Sequence, residues 1–274
     1  MARIQAISVG HALDVDFAGF GAVHSVFVHA VNLTIRGDMW TLLAEDKTDL
    51  PFGIRLALPN FHTLGLRCGD LVRVRGGFVG IGSHLVVDCR AAPWWIPACE
   101  EKSELGLERR LAVVAKVACA RSWNESAPMA RAVRAAVSRA TGLGDVLAKV
   151  VGRGPGATPS GDDVLIGILA VLTSAHSGVA GASAGQSLRR ALLPLLPTTT
   201  EVSGHLLHQA TRGLFGRAIH ELVSALNGDP TPQQLSEKVH RVIETGATSG
   251  ADMCEGLLAF APSYFATRNE RASA

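Results

Sequence analysis

Residues 156–170 read GATPSGDDVLIGILA, and residues 246–259 read GATSGADMCEGLLA. With Pro159 as the one extra residue, nine of fourteen aligned positions match: Gly156/Gly246, Ala157/Ala247, Thr158/Thr248, Ser160/Ser249, Gly161/Gly250, Asp163/Asp252, Gly167/Gly256, Leu169/Leu258 and Ala170/Ala259. In each copy small and hydroxylated residues run into an Asp, and an apolar segment follows. That is the chemistry of a glycine loop feeding a helix N-terminus, where unpaired backbone N–H groups and the positive dipole end point outward. Two copies predict a mostly α-helical domain built on two Gly-loop–helix repeats, and a pseudo-symmetric site with two things to hold.

The helical pattern extends on both sides of these loops. Asp163–Ser174 is nearly all apolar and reads as a central helix, while Glu104–Arg121 carries Leu107, Leu111, Val114, Ala115 and Ala118 on one stripe. Met129–Ala140 and Leu143–Val151 read as shorter helices. Ser203–Leu226 reads as one long helix stopped at Gly228, Asp229 and Pro230, and Thr231–Thr245 and Asp252–Phe260 follow. The first hundred residues look different. Val23–Leu33 is a long run of branched and aromatic residues, and Met39–Leu43, Ile54–Leu58, Leu71–Arg75 and His84–Asp88 are further strand candidates. Gly76–Gly77 is a two-residue hairpin signal. The expectation is an α+β chain: an N-terminal antiparallel barrel or sandwich over 1–98, a helical domain over 99–267 and a polar tail at 268–274, with the junction in Ala92–Glu101.

Composition narrows the function. Of 274 residues 47% are apolar and 18% charged, which places the chain among ordinary globular proteins. A formal charge of +2 without a basic cluster, and only 5% aromatics, argue against a nucleic-acid track. The cysteines (Cys68, Cys89, Cys99, Cys119 and Cys254) are scattered and form no C-x-x-C pair, which fits a reducing compartment. Val164–Leu172 is too short an apolar run to span a bilayer. A soluble, cytoplasmic protein is expected. The loops match neither a Walker loop nor a dinucleotide fingerprint, and no cofactor is expected.

In the first loop Gly154 and Gly156 let the backbone approach a ligand, Thr158 and Ser160 offer hydroxyls, Gly161 follows, and Asp162 or Asp163 is placed to cap the helix. Gly246, Thr248, Ser249 and Gly250 are the counterparts in the second. All nine glycine, serine and threonine positions, with Asn32 and Arg212, are candidate anion ligands, and Asp162, Asp163, Asp252 and His24 are the candidate catalytic groups. Mg²⁺ on Asp162 and Asp163 is the weaker reading, because adjacent residues diverge on a helix and Asp162 becomes Ala251 in the second copy; no metal is expected. Arg212 shares a helix face with His205 and His208, either as a fork for an anion or as part of a solvated face. His24 and Asn32 share one side of the first strand run. Satisfied core polar groups are their usual reading, a ligand role the rarer one.

The segments Gly21–Phe27 with Ala30–Leu33, Gly154–Asp163 and Gly246–Asp252 together resemble a bacterial family, the AllH-type subunits of oxamate carbamoyltransferase, over roughly residues 5–262. The resemblance implies a subunit acting with two partner proteins in allantoin (purine) breakdown, converting oxalurate and phosphate to oxamate and carbamoyl phosphate. It brings no catalytic residues to carry over, and activity is expected of the complex rather than of the chain alone. The phosphate loop of aspartate and ornithine carbamoyltransferases is absent. No nucleophile–base pair stands out, which fits direct attack by phosphate on a positioned carbonyl. Two alternatives stand beside this one: a non-catalytic scaffold that docks its partners, and a Mg²⁺–nucleotide enzyme using Asp162 and Asp163.

Overall fold

In Leu71–Arg75, Val72 and Val74 are buried while Leu71, Arg73 and Arg75 face outward, the period-two pattern of a strand with one face on a core. The same logic runs through a computed structural model that describes residues 1–98, 106–118 and 121–265. The chain divides into two units, Met1–Pro97 and Ala98–Ala274.

The first unit has strands β1 (Ala2–Gly10), β2 (Gly19–Val26), β3 (Ala30–Ile35), β4 (Asp38–Leu43), β5 (Gly53–Leu56), β6 (Leu71–Arg75), β7 (Phe78–Ile81), β8 (Leu85–Asp88) and β9 (Trp94–Trp95). The sheet order β5-β4-β3-β2-β6-β7-β8-β1 is closed by a β1–β5 pairing, giving an eight-stranded barrel, and β9 extends along β1 beyond β8. Closure removes the exposed edges an open sheet would carry. The barrel is mixed, because β1 runs parallel to β8 and β4 parallel to β5. Its interior holds Val23, Val31, Leu33, Ile35, Leu42, Ile54, Leu56, Val72, Val74, Val79, Ile81, Leu85 and Val87, each at most 2% exposed. The Arg3 and Arg90 guanidiniums both donate to Asp88 Oδ2 at 2.9 Å, which pins the β1–β8 seam.

Gly76 and Gly77, at φ 55° and 78°, form the expected turn between β6 and β7. The Val23–Leu33 run, in contrast, is two strands. The chain reverses at Val28–His29, with Phe27 N–H donating to the Ala30 carbonyl at 2.8 Å, and Ser25 pairs across from Asn32 beside a bulge at His24. No Gly, Asn, Asp or Pro marks that turn, so the apolar alternation runs straight through it.

The second unit holds α1 (Leu107–Ala118), α2 (Ser126–Arg139), α3 (Leu143–Val150), α4 (Ser160–Leu172), α5 (Gly178–Leu192), α6 (Glu201–Thr211), α7 (Arg217–Asn227), α8 (Pro232–Ile243) and α9 (Ser249–Tyr264). All thirteen residues of α4 are buried, so it is the central helix. Among the described residues no helix is long and apolar enough to cross a membrane. The expected Ser203–Leu226 helix is broken into α6 and α7, because Gly213 takes φ 78° after Arg212 closes α6. A glycine inside an apolar 3.6-residue pattern carries no visible stop signal. α5 was not expected, since its buried stripe of Gly181, Gly185, Leu188 and Leu192 begins with glycines. Glu101, Glu104, Cys99, Cys119 and the tail at 268–274 lie outside the described residues. Cys68 is exposed and Cys89 and Cys254 are buried, and burial pushes the Cys89 thiol up to about 12.

The two repeats meet at the crossing of α4 and α9. A Cβ on Gly167 would lie 1.9 Å from the Met253 carbonyl oxygen, and one on Gly256 would lie 2.1 Å from that of Val164. Val164 and Met253 are aligned positions, as are Gly167 and Gly256, so the contact is reciprocal about a pseudo-two-fold axis. A Gly167→Ala or Gly256→Ala variant is expected to lose about 2–3 kcal/mol in chemical denaturation, the range of an overpacked core. A Gly144→Ala variant, where nothing lies within 4 Å of the added carbon in α3, should be neutral or gain up to about 1 kcal/mol.

Candidate functional site

Both loops enter their helices in the same way. Pro159 and Thr248 are the N-caps of α4 and α9, and neither helix has a side-chain cap. Ser160 and Ser249 come first in each helix, Gly161 and Gly250 second, and Asp163 and Asp252 fourth. Asp162 and Asp163 are therefore not N-caps, because α4 begins at Ser160. A Cβ on Gly161 would lie 2.0 Å from the Val150 carbonyl oxygen, at the end of α3. One on Gly250 would lie 1.8 Å from that of Val242, in the last turn of α8. These two glycines seat each helix start against the end of the helix before it.

The loops are spatial neighbours: Thr158 Oγ1 and Ser249 Oγ share a hydrogen bond of 3.0 Å. Gly154 and Gly156 take φ 113° and 93°, conformations that require glycine. Gly154 packs on the start of α4, where a Cβ would meet Ser160 N at 2.8 Å. Gly156, Ala157, Gly246 and Ala247 are exposed, while Thr158, Thr248 and Ser249 are half-buried. The backbone N–H groups of these seven residues find no acceptor among the described residues. They are the orphan donors that a glycine loop at a helix start leaves available.

Beneath the loops lie three buried acids with different surroundings. Asp162 is fully engaged: Gly152 N–H donates to Oδ1 at 2.9 Å, and the Thr199 and Ser203 hydroxyls donate to Oδ2. It ties the loop to α6, whose N-cap Thr200 also donates to the Ala157 carbonyl at 2.6 Å. Asp252 Oδ1 accepts from Trp123 N–H and Ser126 Oγ, both at 2.7 Å, while its Oδ2 has no partner. Asp163 is 1% exposed, and neither of its carboxylate oxygens is hydrogen-bonded. Burial raises its pKa well above 3.8; the nearby Ser249 and Thr158 hydroxyls oppose the shift, and Asp252 and Asp162 add to it. Ser160 Oγ, fully buried at the same helix start, is also unpartnered. Asp162 and Asp163 thus have separate surroundings, and among the described residues no three His, Cys, Asp or Glu side chains form a metal cluster.

The other candidates lie elsewhere. Arg212 is the C-cap of α6, roughly 18 Å along that helix from Thr200 at about 1.5 Å per residue. The next residue, Gly213, helps line a cavity of ≈ 240 Å³ with Thr173, His176 and His220, past the last turn of α4. The structure does not bring Arg212 to the loops. Asn32 sits in the barrel with its amide taken up across the strands, donating to Ser25 Oγ at 3.0 Å and accepting from Thr41 Oγ1 at 2.9 Å. His24, at the bulge, lies 3.1 Å from Ser25 Oγ. Sequence reasoning missed Trp123, Ser126, Thr199 and Ser203, the donors to the buried acids. They sit in or beside other helices, and no local pattern marks them.

This is an α+β protein whose helical unit is organised about two convergent loop–helix repeats. The model of the AllH family N-terminal domain matches residues 5–94, and the model described as oxamate carbamoyltransferase subunit AllH matches residues 150–261. The chain belongs to the AllH family, a family of subunits of oxamate carbamoyltransferase, and a subunit has partner subunits. No solved structure matches it.

The buried acids make two stability predictions. An Asp162→Ala variant strands three buried or half-buried donors and should cost roughly 3 kcal/mol in denaturant titration. Asp163 binds its proton more tightly in the folded chain, so its contribution is whole below about pH 3.8 and is lost as pH rises toward the folded value. Asp163→Asn should therefore be more heat-stable than the parent at pH 7, with the difference shrinking toward pH 4.

Proposed function

We propose that this chain supplies an anion-binding site to a cytoplasmic oxamate carbamoyltransferase complex that interconverts oxalurate plus phosphate with oxamate plus carbamoyl phosphate. The observation that carries this reading is the pair of loops joined through Thr158 and Ser249, with seven loop amides left without acceptors. Phosphate and the carboxylate of oxamate or oxalurate are anions, and both suit N–H donors at the positive ends of two helices. Beneath the loops Asp162 accepts three hydrogen bonds and Asp252 two, and burial raises the pKa of Asp163.

When phosphate attacks the carbamoyl carbon of oxalurate, the bond to the oxamate nitrogen breaks and that nitrogen takes up a proton. Loop amides that fix both reactants supply orientation, and donors aimed at the carbonyl oxygen stabilise its developing charge. Pseudo-symmetry suits this task, since each repeat presents one anion cradle.

Calorimetric titration of the assembled complex with phosphate and with oxamate tests the reading. Thr158→Val and Ser249→Ala should each weaken binding roughly tenfold, the loss of about one well-placed hydrogen bond, with the circular dichroism spectrum unchanged. Unaltered affinity in both variants removes the loops from the site.

A further inference from the structure

Four buried oxygens under the loops lack a partner: Ser160 Oγ, Asp163 Oδ1, Asp163 Oδ2 and Asp252 Oδ2. Their residues are at most 1% exposed, and all lie in the first turns of α4 and α9, on either side of the pseudo-two-fold axis. Buried polar groups without partners are costly and rare in native proteins. These four sit at two neighbouring helix starts, and three of them are carboxylate oxygens. Three unpaired carboxylate oxygens beside a serine hydroxyl are complementary to a ligand that presents N–H groups. A metal ion is a poorer match, because Asp162 has both oxygens occupied and only two acids remain.

We infer that Asp163, Asp252 and Ser160 form an amide-recognising subsite that takes the N–H₂ group of the substrate, while the loops above hold its anionic end. This inference rests on the anion-binding reading of the loops and gives that site its direction. An NH₂ group has two donors, enough to reach a carboxylate oxygen on each side of the axis. Thr158 and Ser249, joined at 3.0 Å, link the two loops beside Asp163. The acids do further work by exclusion: an analogue that puts an anionic oxygen where the amide belongs sets acceptor against acceptor and leaves Asp163 and Asp252 without an N–H.

Oxamate and oxalate make the test, since they differ in one group, NH₂ against O⁻. Both are titrated calorimetrically into the intact complex carrying the parent chain, Asp163→Asn, or Ser160→Ala. The expected result is oxamate binding at least about tenfold tighter than oxalate to the parent. That preference should fall to within about threefold in Asp163→Asn, whose own amide can donate to oxalate. Ser160→Ala should weaken oxamate severalfold without changing oxalate, and it serves as an independent arm should Asp163→Asn assemble poorly. Equal binding of the two ligands to the parent, or a preference that survives both substitutions, overturns the subsite and leaves the loop reading standing. If neither ligand binds the intact complex, the loop reading fails and the subsite fails with it.

Discussion

The close crossing of α4 and α9 governs everything around it. Gly167 and Gly256 have no side chains, so each helix rests on a carbonyl of the other, at Met253 and Val164. That separation is set by backbone contact alone, and it leaves no room for adjustment by side-chain repacking. Because the two glycines occupy aligned positions, the geometry is imposed from both sides at once. Four residues before each glycine stand Asp163 and Asp252, and just before them the loops. The crossing thus determines how near the two helix starts can come, and hence whether Thr158 can reach Ser249.

The acids beneath the loops show how one repeat has diverged from the other. Asp162 in the first copy fastens its loop to Gly152, Thr199 and Ser203, while Ala251 in the second has no such anchor. Asp163 and Asp252 keep the same helical position but have different neighbours: Trp123 and Ser126 serve only the second. The repeats thus share a frame but not its fillings.

Much of this was legible in the chain itself, because the repeat is dense in glycine, hydroxyl and acid at fixed spacing. Gly76–Gly77 announced its turn for a similar reason: both residues need positive φ. The failures share a cause. The Val28–His29 turn and the break at Gly213 carry no marker that survives within an apolar pattern, and α5 hides its buried stripe in glycines. The mixed barrel was out of reach too, since the pairing of β1 with β8 joins Ala2 to Leu85 and no local signal spans that distance. Asp162 illustrates the limit on the site itself: its type and place were evident, but its donors arrive from α6 and the segment before it.

The closure of the barrel carries a consequence for how the protein is made. Strand β1 is synthesised before every strand it pairs with, since its neighbours are β5, β8 and β9. The backbone groups of β1 that pair with β8 stay unmatched until the chain has grown past Asp88, and the barrel cannot seal before then. Non-local pairing of this kind slows folding and leaves an adhesive edge during synthesis. A nascent chain stalled inside the first ninety residues is therefore the form most exposed to aggregation and most dependent on chaperones.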